Sequence, residues 1–277
     1  RKTICCTKEI ATRIAGSNYE EKEKVMFENA SLMARFASMV YLPKEGLKIK
    51  LSQMGYDNFH WIDKGDTQVM IIPPQQDNKL VICFRGTEPT QITDVLADLK
   101  AWRKPSKEKG LVHYGFVEAL DKVFLDIEHY LETQDINLEE PTKVVCTGHS
   151  LGAALATLCA SRIDAHELYT FGSPRVGNRD FVKQLAKDGV KHYRFVNNND
   201  IVTKLPLALM MYKHCGKLHY INYHGNIRKM TPWQRIKDQF RGRMTAWKKG
   251  QLFDGARDHS MSDYRKKLEN VCLQSKD

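Results

Sequence analysis

Apolar residues follow two alternating spacings along this chain. A short continuous apolar run, which suits a strand buried on both faces of a sheet, occurs at 80–84, and strand-like segments follow at 143–147, 168–171 and 191–196. Segments with helical spacing lie between them, at 115–131, 151–163 and 181–187. This alternation predicts an α/β fold, with a mostly parallel central sheet covered by helices on both faces.

The first part of the chain carries a weaker pattern. Helical spacing predicts a helix over 20–41, and strand-like runs at 59–62 and 67–72 flank a turn. The apolar stripe expected on that helix comprises Val25, Leu32, Phe36 and Met39. No repeat, low-complexity tract or linker interrupts the chain, so we expect a single domain over 1–277.

Composition leaves the partner class open. The chain has a net charge of +10 and a 42% hydrophobic share, which is ordinary for a globular protein. Positive charge attracts nucleic acid or anionic lipid, and no nucleic-acid-binding signature accompanies it, so nucleic acid is not expected. Neither a signal peptide nor a transmembrane segment is visible, which leaves the compartment undetermined.

The seven cysteines show no recurring spacing. Cys83, Cys146 and Cys159 lie inside apolar runs and are expected to be small buried side chains. The adjacent pair Cys5 and Cys6 is a candidate for exposed thiols or disulfide partners. Because no C-x-x-C spacing occurs, a metal site built from cysteines is not expected.

Gly148-His149-Ser150-Leu151-Gly152 matches G-x-S-x-G between a predicted strand and a predicted helix. In that setting the glycines permit a sharp turn that exposes the serine hydroxyl above the sheet, while the helix N-terminus stabilises negative charge on an attacked carbonyl oxygen. The alternative is a glycine-rich turn with a bystander serine. The strand–turn–helix context favours Ser150 as a nucleophile.

A serine nucleophile needs a base, usually histidine, and the base needs an orienting carboxylate. In α/β-hydrolases the order along the chain is Ser, then Asp or Glu, then His. Asp200 follows the strand-like run 191–196 through a loop of three asparagines. Spacing alone does not separate the four histidines that come later, which are His214, His219, His224 and His259. His219 and His224 lie in an alternating run typical of a strand, whereas His259 lies in a polar loop before a predicted terminal helix.

Four segments together resemble the class 3 lipases, the group that contains the filamentous-fungal triacylglycerol lipases and many bacterial relatives. These segments are Phe84-Arg85-Gly86-Thr87, Gly148 to Gly152, Phe171-Gly172-Ser173-Pro174-Arg175-Val176-Gly177-Asn178 and Asp258-His259. The resemblance runs from about Glu28 to about Leu268. The FGSPRVGN segment is far more specific than G-x-S-x-G, and the family resemblance implies an α/β-hydrolase fold with a lid.

The resemblance assigns roles to individual residues. It implies that Ser150 is the nucleophile, Asp200 the triad acid and His259 the base. It implies that the backbone N–H of Thr87, helped by its hydroxyl, forms half of the oxyanion hole, and that the backbone N–H of Leu151 forms the other half. The alternative for Thr87 is a turn residue that ends a strand.

Other features of the family are matched or modified. His214 resembles a structural histidine, and Thr203 stands where the family usually has proline, a difference that affects loop rigidity rather than the carboxylate. Residues 88–110 resemble the lid, with an apolar stripe of Ile92, Val95, Leu96 and Leu99. Such a stripe either covers the site in water and turns outward on lipid, or stays docked on the core.

Residues 228–249 hold eight Lys or Arg and a single acid, Asp238. Their aromatic and aliphatic side chains follow helical spacing, and they are Trp233, Ile236, Phe240, Met244 and Trp247. The usual arrangement packs such a stripe on the core with the polar face in water. A basic amphipathic helix lying on an anionic membrane surface is the alternative.

The sequence therefore favours a serine ester hydrolase that cleaves acylglycerols through an acyl-enzyme, with no metal or organic cofactor required. The enzymatic alternatives are a phospholipase acting on acyl esters of glycerophospholipids and a non-lipid carboxylesterase, such as one acting on feruloyl esters. The non-enzymatic alternative is a lipid-binding module that has lost catalysis. The substrate class is a lipid ester, with an anionic lipid surface as a further candidate partner.

Overall fold

The computed structural model describes residues 2–87, 103–105, 110–133, 142–248 and 254–274, with side chains from Glu20 onward in most of them. The strands are β1 His60–Lys64, β2 Thr67–Ile72, β3 Lys79–Phe84, β4 Arg103–Pro105, β5 Leu111–His113, β6 Lys143–His149, β7 Glu167–Phe171, β8 Lys191–Asn197 and β9 Lys217–Ile221. The helices are α1 Lys2–Met39, α2 Lys44–Ser52, α3 Tyr114–Thr133, α4 Leu151–Arg162, α5 Arg179–Lys187, α6 Pro232–Lys248, α7 Asp254–Arg257 and α8 Met261–Gln274.

A seven-stranded sheet runs through the protein in the order β1-β2-β3-β6-β7-β8-β9. The pairs β3·β6, β6·β7, β7·β8 and β8·β9 are parallel, whereas β1·β2 and β2·β3 are antiparallel. β4 and β5 form a separate two-stranded ribbon. The carboxyl ends of β6, β7 and β8 therefore meet at one edge of the sheet, which is where ligands bind in parallel α/β sheets.

Two hydrophobic cores lie on the two faces of this sheet, as the sequence predicts. In β3 the side chains alternate between them, with Ile82 and Phe84 in one core and Val81 and Cys83 in the other. Residues from α3, α4 and α5 complete the first core. Residues from α1, α2 and α8 complete the second. Burial on both faces explains the continuous apolar run of β3.

The N-terminal elements differ from the expectation in two ways. Helix α1 begins at Lys2, well before the expected start at Glu20, and α2 lies in a stretch for which no helix was expected. Val25 was expected on the buried stripe of α1 but is half exposed. The buried face is rotated away from Val25 and rich in small side chains, because Ala30, Ala34 and Ala37 let the helix approach the sheet closely.

The first and last helices pack together. Nε of Arg35 in α1 lies 3.0 Å from a carboxylate oxygen of Glu269 in α8. The thiol of Cys272 in α8 donates to the carbonyl of Phe27, at 3.3 Å. Because α8 begins two residues after His259, this contact anchors the segment that carries the candidate base.

The buried cysteines behave as expected, since Cys83, Cys146 and Cys159 are free and buried. The side chains of Cys5 and Cys6 lie outside the described residues, so their state stays a prediction. Within the described ranges, none of the helices combines the length and apolar character needed to cross a bilayer.

Helix α6 reverses the usual arrangement of an amphipathic helix. Asp238 and Gly242 are buried, whereas the five large apolar side chains expected in its stripe are exposed. The expectation that this stripe packs on the core is therefore wrong. The reason is that the surface beneath α6 is itself polar, since Asn198 and Asn199 lie against the helix.

Candidate active site

Ser150 occupies the sharp turn between β6 and α4. Its backbone has φ 57 and ψ −127, a strained conformation for a residue with a side chain. The turn needs close backbone packing: a Cβ added at Gly148 would lie 2.4 Å from the carbonyl oxygen of Gly152, and one at Gly152 would lie 2.3 Å from that of Phe84. The two glycines of the motif thus allow the crossing that holds Ser150 at the end of β6.

Asp200 and His259 form a buried pair. Nδ1 of His259 lies 2.9 Å from each carboxylate oxygen of Asp200, and both residues have no exposed surface. A neutral imidazole with its proton on Nδ1 donates to this carboxylate and leaves Nε2 as an acceptor. Among the described residues, Nε2 of His259 has no hydrogen-bond partner, so it is free to take a proton from a nucleophile or a substrate.

Two further donors satisfy the buried carboxylate of Asp200. The hydroxyl of Tyr264 donates to Oδ2 at 2.6 Å, and the backbone N–H of Val202 donates to Oδ1 at 2.9 Å. Burial, followed by the charge of Asp200, raises the pKa of the Tyr264 hydroxyl, so this group keeps its proton and donates. A buried carboxylate needs such donors to remain charged beside the imidazole.

The chain at the end of β7 brings the serine and the pair together. The backbone N–H of Ser150 donates to the carbonyl of Phe171 at 3.1 Å. The next residue, Gly172, has φ +59, and a Cβ added there would lie 2.7 Å from Oδ2 of Asp200 and 2.9 Å from the ring of His259. One dipeptide therefore contacts all three residues of the expected triad.

His149, immediately before the serine, contacts the backbone and the ring of the candidate base. Nε2 of His149 lies 2.6 Å from the carbonyl oxygen of His259, and the two rings lie 4.5 Å apart. Its other nitrogen, Nδ1, lies 2.9 Å from the hydroxyl of Tyr41. Burial, followed by the neighbouring His259, holds the pKa of His149 well below its usual value. His149 is therefore neutral, donates from Nε2 and fixes the backbone of His259.

The structure separates the four histidines that spacing left open. His219 lies in β9, where its ring stacks on Phe195 at 5.0 Å. His224 is exposed beyond that strand. Nε2 of His214 donates to the carbonyl of Thr203 at 2.8 Å, which agrees with the structural role implied by the resemblance. Of the four, His259 is the residue in contact with Asp200.

The FGSPRVGN segment braces the loop that follows Asp200. The guanidinium of Arg175 donates to the carbonyls of Lys204 and Pro206, and its backbone N–H donates to that of Leu205 at 2.7 Å. The hydroxyl of Thr203, which replaces the usual proline, donates to the carbonyl of Asp200 at 2.8 Å. The loop thus keeps a local restraint at the position where the sequence departs from the family.

The candidate oxyanion groups flank Ser150. Gly86 is so close that an added Cβ would lie 3.3 Å from Cβ of Ser150, and Thr87 is the next residue. Leu151 is the first residue of α4, where backbone N–H groups lack partners within the helix. Of the expected lid, 88–102 and 106–109 lie outside the described residues, so the lid stays a prediction.

Sequence reasoning missed Tyr264, His149 and Gly172 as parts of this site. A weak signal existed for the first two, since His149 precedes the nucleophile directly and Tyr264 lies five residues after His259. The role of Asp258 was also missed. Its carboxylate accepts a hydrogen bond from the backbone N–H of Asn199 at 3.0 Å and so connects the loop that carries Asp200 to the loop that carries His259. These roles depend on side-chain direction, which spacing does not encode.

Comparisons with known proteins show which proteins this chain is similar to. The sequence profile of a family described as Lipase (class 3) matches residues 81–210, a range that includes Ser150 and Asp200. A protein named Lipase from Rhizomucor miehei is 33% identical over 168 residues, which are 56% of this chain and 45% of that protein. A chloroplastic phospholipase A(1) from Arabidopsis thaliana is 49% identical over 75 residues, which are 24% of this chain and 17% of that protein.

A solved structure shows the same fold. The mono- and diacylglycerol lipase from Aspergillus oryzae superposes with a TM-score of 0.66 at 24% identity, over 85% of this chain and 94% of that one. The fold is therefore that of the α/β-hydrolases. The chain spans less than two thirds of the length of the curated relatives that it matches first.

Proposed function

The chain belongs to the class 3 lipase family, and from this premise we propose that it hydrolyses the carboxylic ester bonds of acylglycerols. The observation that carries the proposal is the buried Asp200–His259 pair, whose Nε2 has no hydrogen-bond partner among the described residues. This pair and Ser150 both adjoin the dipeptide Phe171-Gly172. Relatives named as lipases and as mono- and diacylglycerol lipases support an acylglycerol substrate.

The proposed reaction proceeds in two halves. Oγ of Ser150 attacks the ester carbonyl carbon while Nε2 of His259 takes the hydroxyl proton, and the negative charge of Asp200 stabilises the resulting imidazolium. The backbone N–H groups of Thr87 and Leu151 hold the oxyanion. The imidazolium then gives its proton to the leaving alcohol, and water activated by His259 hydrolyses the acyl-enzyme.

The environment of these groups suits that chemistry. Ser150 exposes 4% of its surface and His259 exposes 0%, so the reacting groups are almost excluded from water. Fixed donors stabilise charge more strongly in such surroundings than in solution. The mechanism uses side chains and backbone groups of this chain alone.

A phospholipase is the second candidate. The observation that favours it is the combination of a net charge of +10 with the similarity to a phospholipase A(1) over 75 residues. We also propose peripheral contact with an anionic lipid surface, which would present either substrate to the site. The single-domain organisation and the absence of nucleic-acid binding stay predictions.

Hydrolysis of a matched substrate panel tests the proposal. Long-chain and short-chain acylglycerols would be compared with an anionic and a zwitterionic phospholipid. In Ser150→Ala we expect kcat/KM on the preferred substrate to fall by about 10⁴ or more. Ser161→Ala, which changes a buried serine within α4, serves as the matched control and should retain activity.

Covalent labelling distinguishes the remaining alternatives. An organophosphorus ester should modify wild type at Ser150 and leave Ser150→Ala unmodified, because labelling requires an activated serine. Labelling without hydrolysis of any lipid would favour a non-lipid carboxylesterase. No labelling together with lipid binding would favour a catalytically inactive module and contradict the proposal.

A further inference from the structure

Helix α6 packs on the protein through its polar side. Oδ2 of Asp238 accepts from the hydroxyl of Tyr220 at 3.0 Å and from the backbone N–H of Tyr223 at 3.1 Å. Gly242 lies against the loop before Asp200, where an added Cβ would be 2.3 Å from Nδ2 of Asn198. These contacts fix which face of α6 is turned inward.

The opposite face of α6 exposes an apolar stripe, which comprises Trp233, Ile236, Phe240, Met244 and Trp247. Trp233 and Phe240 are each 65% exposed, and Trp247 is 66% exposed. At 100° per residue the five side chains fall within an arc of about 80°, centred opposite Asp238 and Gly242. An ordinary globular helix turns such a stripe inward, so this one is built to meet an apolar phase outside the protein.

Cations border the apolar stripe on both sides. Lys237 and Arg241 follow one edge and Arg243 the other, and Nζ of Lys237 lies 5.8 Å from the centre of the Trp233 ring. Asp238, the single acid between residues 228 and 249, is buried on the inward face. The outward face of α6 therefore combines exposed aromatic rings with positively charged side chains.

We infer that the apolar stripe of α6 docks on the surface of an anionic lipid bilayer. Tryptophan and phenylalanine rings suit the boundary between headgroups and acyl chains, while lysine and arginine suit anionic headgroups. Charge complementarity selects this occupant over a neutral oil phase, which offers nothing to the cations. The inference rests on the proposed function for its consequence, which is that a bound bilayer supplies the substrate.

Helix α6 forms hydrogen bonds with the loop that carries the candidate acid, Asp200. Nδ2 of Asn199 donates to the carbonyl of Gln239 at 3.0 Å, and Nε2 of Gln239 donates to the carbonyl of Asn198 at 3.2 Å. Asp200 is the next residue. A bilayer bound to α6 therefore lies one helix diameter, about 10 Å, from the backbone of the loop that carries Asp200.

A second exposed apolar segment follows the same loop. Leu207, Ala208, Leu209, Met210 and Met211 are exposed, and Leu209 reaches 93%. The pKa of Lys204, just before this segment, is lowered by burial and then by the charge of Arg243 in α6, which places the two elements near each other. Two exposed apolar surfaces thus follow the acid loop along the chain, at 207–211 and in α6.

Vesicle binding tests the docking surface without hydrolysis. In a Ser150→Ala background, Trp233→Ala, Phe240→Ala and Trp247→Ala would be combined, since alanine keeps helix propensity and the inward contacts of α6 are untouched. We expect affinity for vesicles of phosphatidylcholine with about one third phosphatidylglycerol to fall by about tenfold or more. The measurement is co-sedimentation over a range of lipid concentrations.

The matched control removes three exposed apolar side chains from other helices. Ile49→Ala, Leu125→Ala and Leu273→Ala lie in α2, α3 and α8, with exposure close to that of the α6 residues. This triple variant should bind anionic vesicles as its parent does. Equal affinity for both triple variants would overturn the inference.

Charge gives an independent measurement. Changing Lys237, Arg241 and Arg243 together to glutamine should weaken binding to the anionic vesicles by about fivefold per cation, and should leave the weak binding to pure phosphatidylcholine unchanged. Binding of the parent should also weaken as salt rises. An unchanged preference for anionic vesicles in the glutamine variant would contradict the assigned partner.

Failure of docking and failure of the proposed function give different results. The aromatic variant with Ser150 intact should hydrolyse a short-chain, water-soluble ester like wild type and lose activity on vesicles. Vesicle binding without ester hydrolysis would overturn the proposed function and leave docking in place. The parent could also self-associate while the aromatic variant does not, with both binding vesicles equally. That result would assign the apolar stripe to a contact between copies of the chain and overturn docking.

Discussion

At the residue scale, hydrogen bonds from side chains outside the candidate triad fix the positions of its residues. These neighbouring side chains transfer no proton in the proposed reaction. Tyr264 donates to Asp200 and also accepts from the backbone N–H of Asn197 at 2.8 Å, so one hydroxyl links the acid to the end of β8. His149 holds the backbone of His259 in the same way. The positions of Nδ1 and Nε2 of the candidate base therefore depend on two side chains outside the triad.

Tyr264→Phe tests this dependence. The change leaves the ring in place, removes one donor to Asp200 and leaves the N–H of Asn197 without its acceptor. We expect kcat on a soluble ester to fall by about tenfold, because small displacements of a base are costly, and the free energy of unfolding to fall by about 1–3 kcal/mol. Steady-state kinetics and urea denaturation measure the two effects.

Tyr169→Phe is the matched control for that variant. Its buried hydroxyl donates to Glu167 at 2.8 Å, away from the site. It should lose stability without losing kcat. Equal losses of kcat in the two variants would show that Tyr264 acts through general stability rather than by positioning Asp200.

Part of the candidate triad could be predicted from the sequence. Ser150 is predictable because the turn itself demands glycine at fixed offsets, and these offsets are local. Asp200 is predictable from its place after a strand. His259 is not separable from His214 by spacing, because what distinguishes them is a tertiary contact between segments 59 residues apart. The resemblance to a family supplied that assignment.

At the element scale, the strand–turn–helix junction joins three elements through backbone contacts. Helix α4 approaches the end of β3 so closely that Gly152 touches the backbone of Phe84, Arg85 and Gly86. Thr87 follows Gly86 directly and carries one candidate oxyanion donor, while Leu151 at the start of α4 carries the other. The spacing between the two candidate oxyanion donors is therefore set by one glycine.

Gly152→Ala should disturb both stability and catalysis. Its new Cβ would meet rigid backbone at 2.3 Å, so we expect a loss of about 1–3 kcal/mol in the free energy of unfolding together with a lower kcat. In contrast, a Cβ added at Gly46 in α2 meets only Cβ of Leu42, at 4.0 Å. Gly46→Ala should stabilise by about 0.5 kcal/mol, as expected when alanine replaces glycine in a helix. Destabilisation of similar size in both would contradict the argument.

The central strands and the helices between them were predictable, whereas the direction of the apolar face of α6 was not. β3, β6, β7 and β8 match the strand-like segments at 80–84, 143–147, 168–171 and 191–196. The helical spacing of the apolar stripe of α6 was predicted correctly, but the stripe faces solvent rather than the core. Periodicity reports that a helix has an apolar face, and the polarity of the surface beneath decides where that face points.

At the scale of the whole molecule, burial of histidines couples stability to pH. Burial is the main cause that lowers the pKa of His192 to about 3, with Arg194 second, and that of His219 to about 4, with Lys217 second. Burial likewise holds the pKa values of His149 and His214 well below the usual 6.5. The folded protein therefore keeps these four side chains neutral where the unfolded chain protonates them.

Stability should consequently decrease as pH falls through about 6.5. Below that value the unfolded state binds more protons, so each buried histidine lowers the free energy of unfolding by about 1.4 kcal/mol per pH unit until its folded pKa is approached. Urea denaturation at about pH 7, 6 and 5 measures the slope. His192→Gln should reduce this slope, and the surface change His129→Gln should not. A free energy of unfolding that does not change between about pH 7 and 5 would contradict the conclusion that these histidines stay neutral in the folded protein.

The contact between α1 and α8 joins segments that lie far apart along the chain. Synthesis delivers the chain in order, and residues 149 and 259 are separated by 110 positions. A nascent chain on the ribosome therefore exposes its serine long before its base exists, and the base is seated only when α8 has closed on α1. If the triad works as proposed, hydrolysis has to wait until the chain has been synthesised beyond α8.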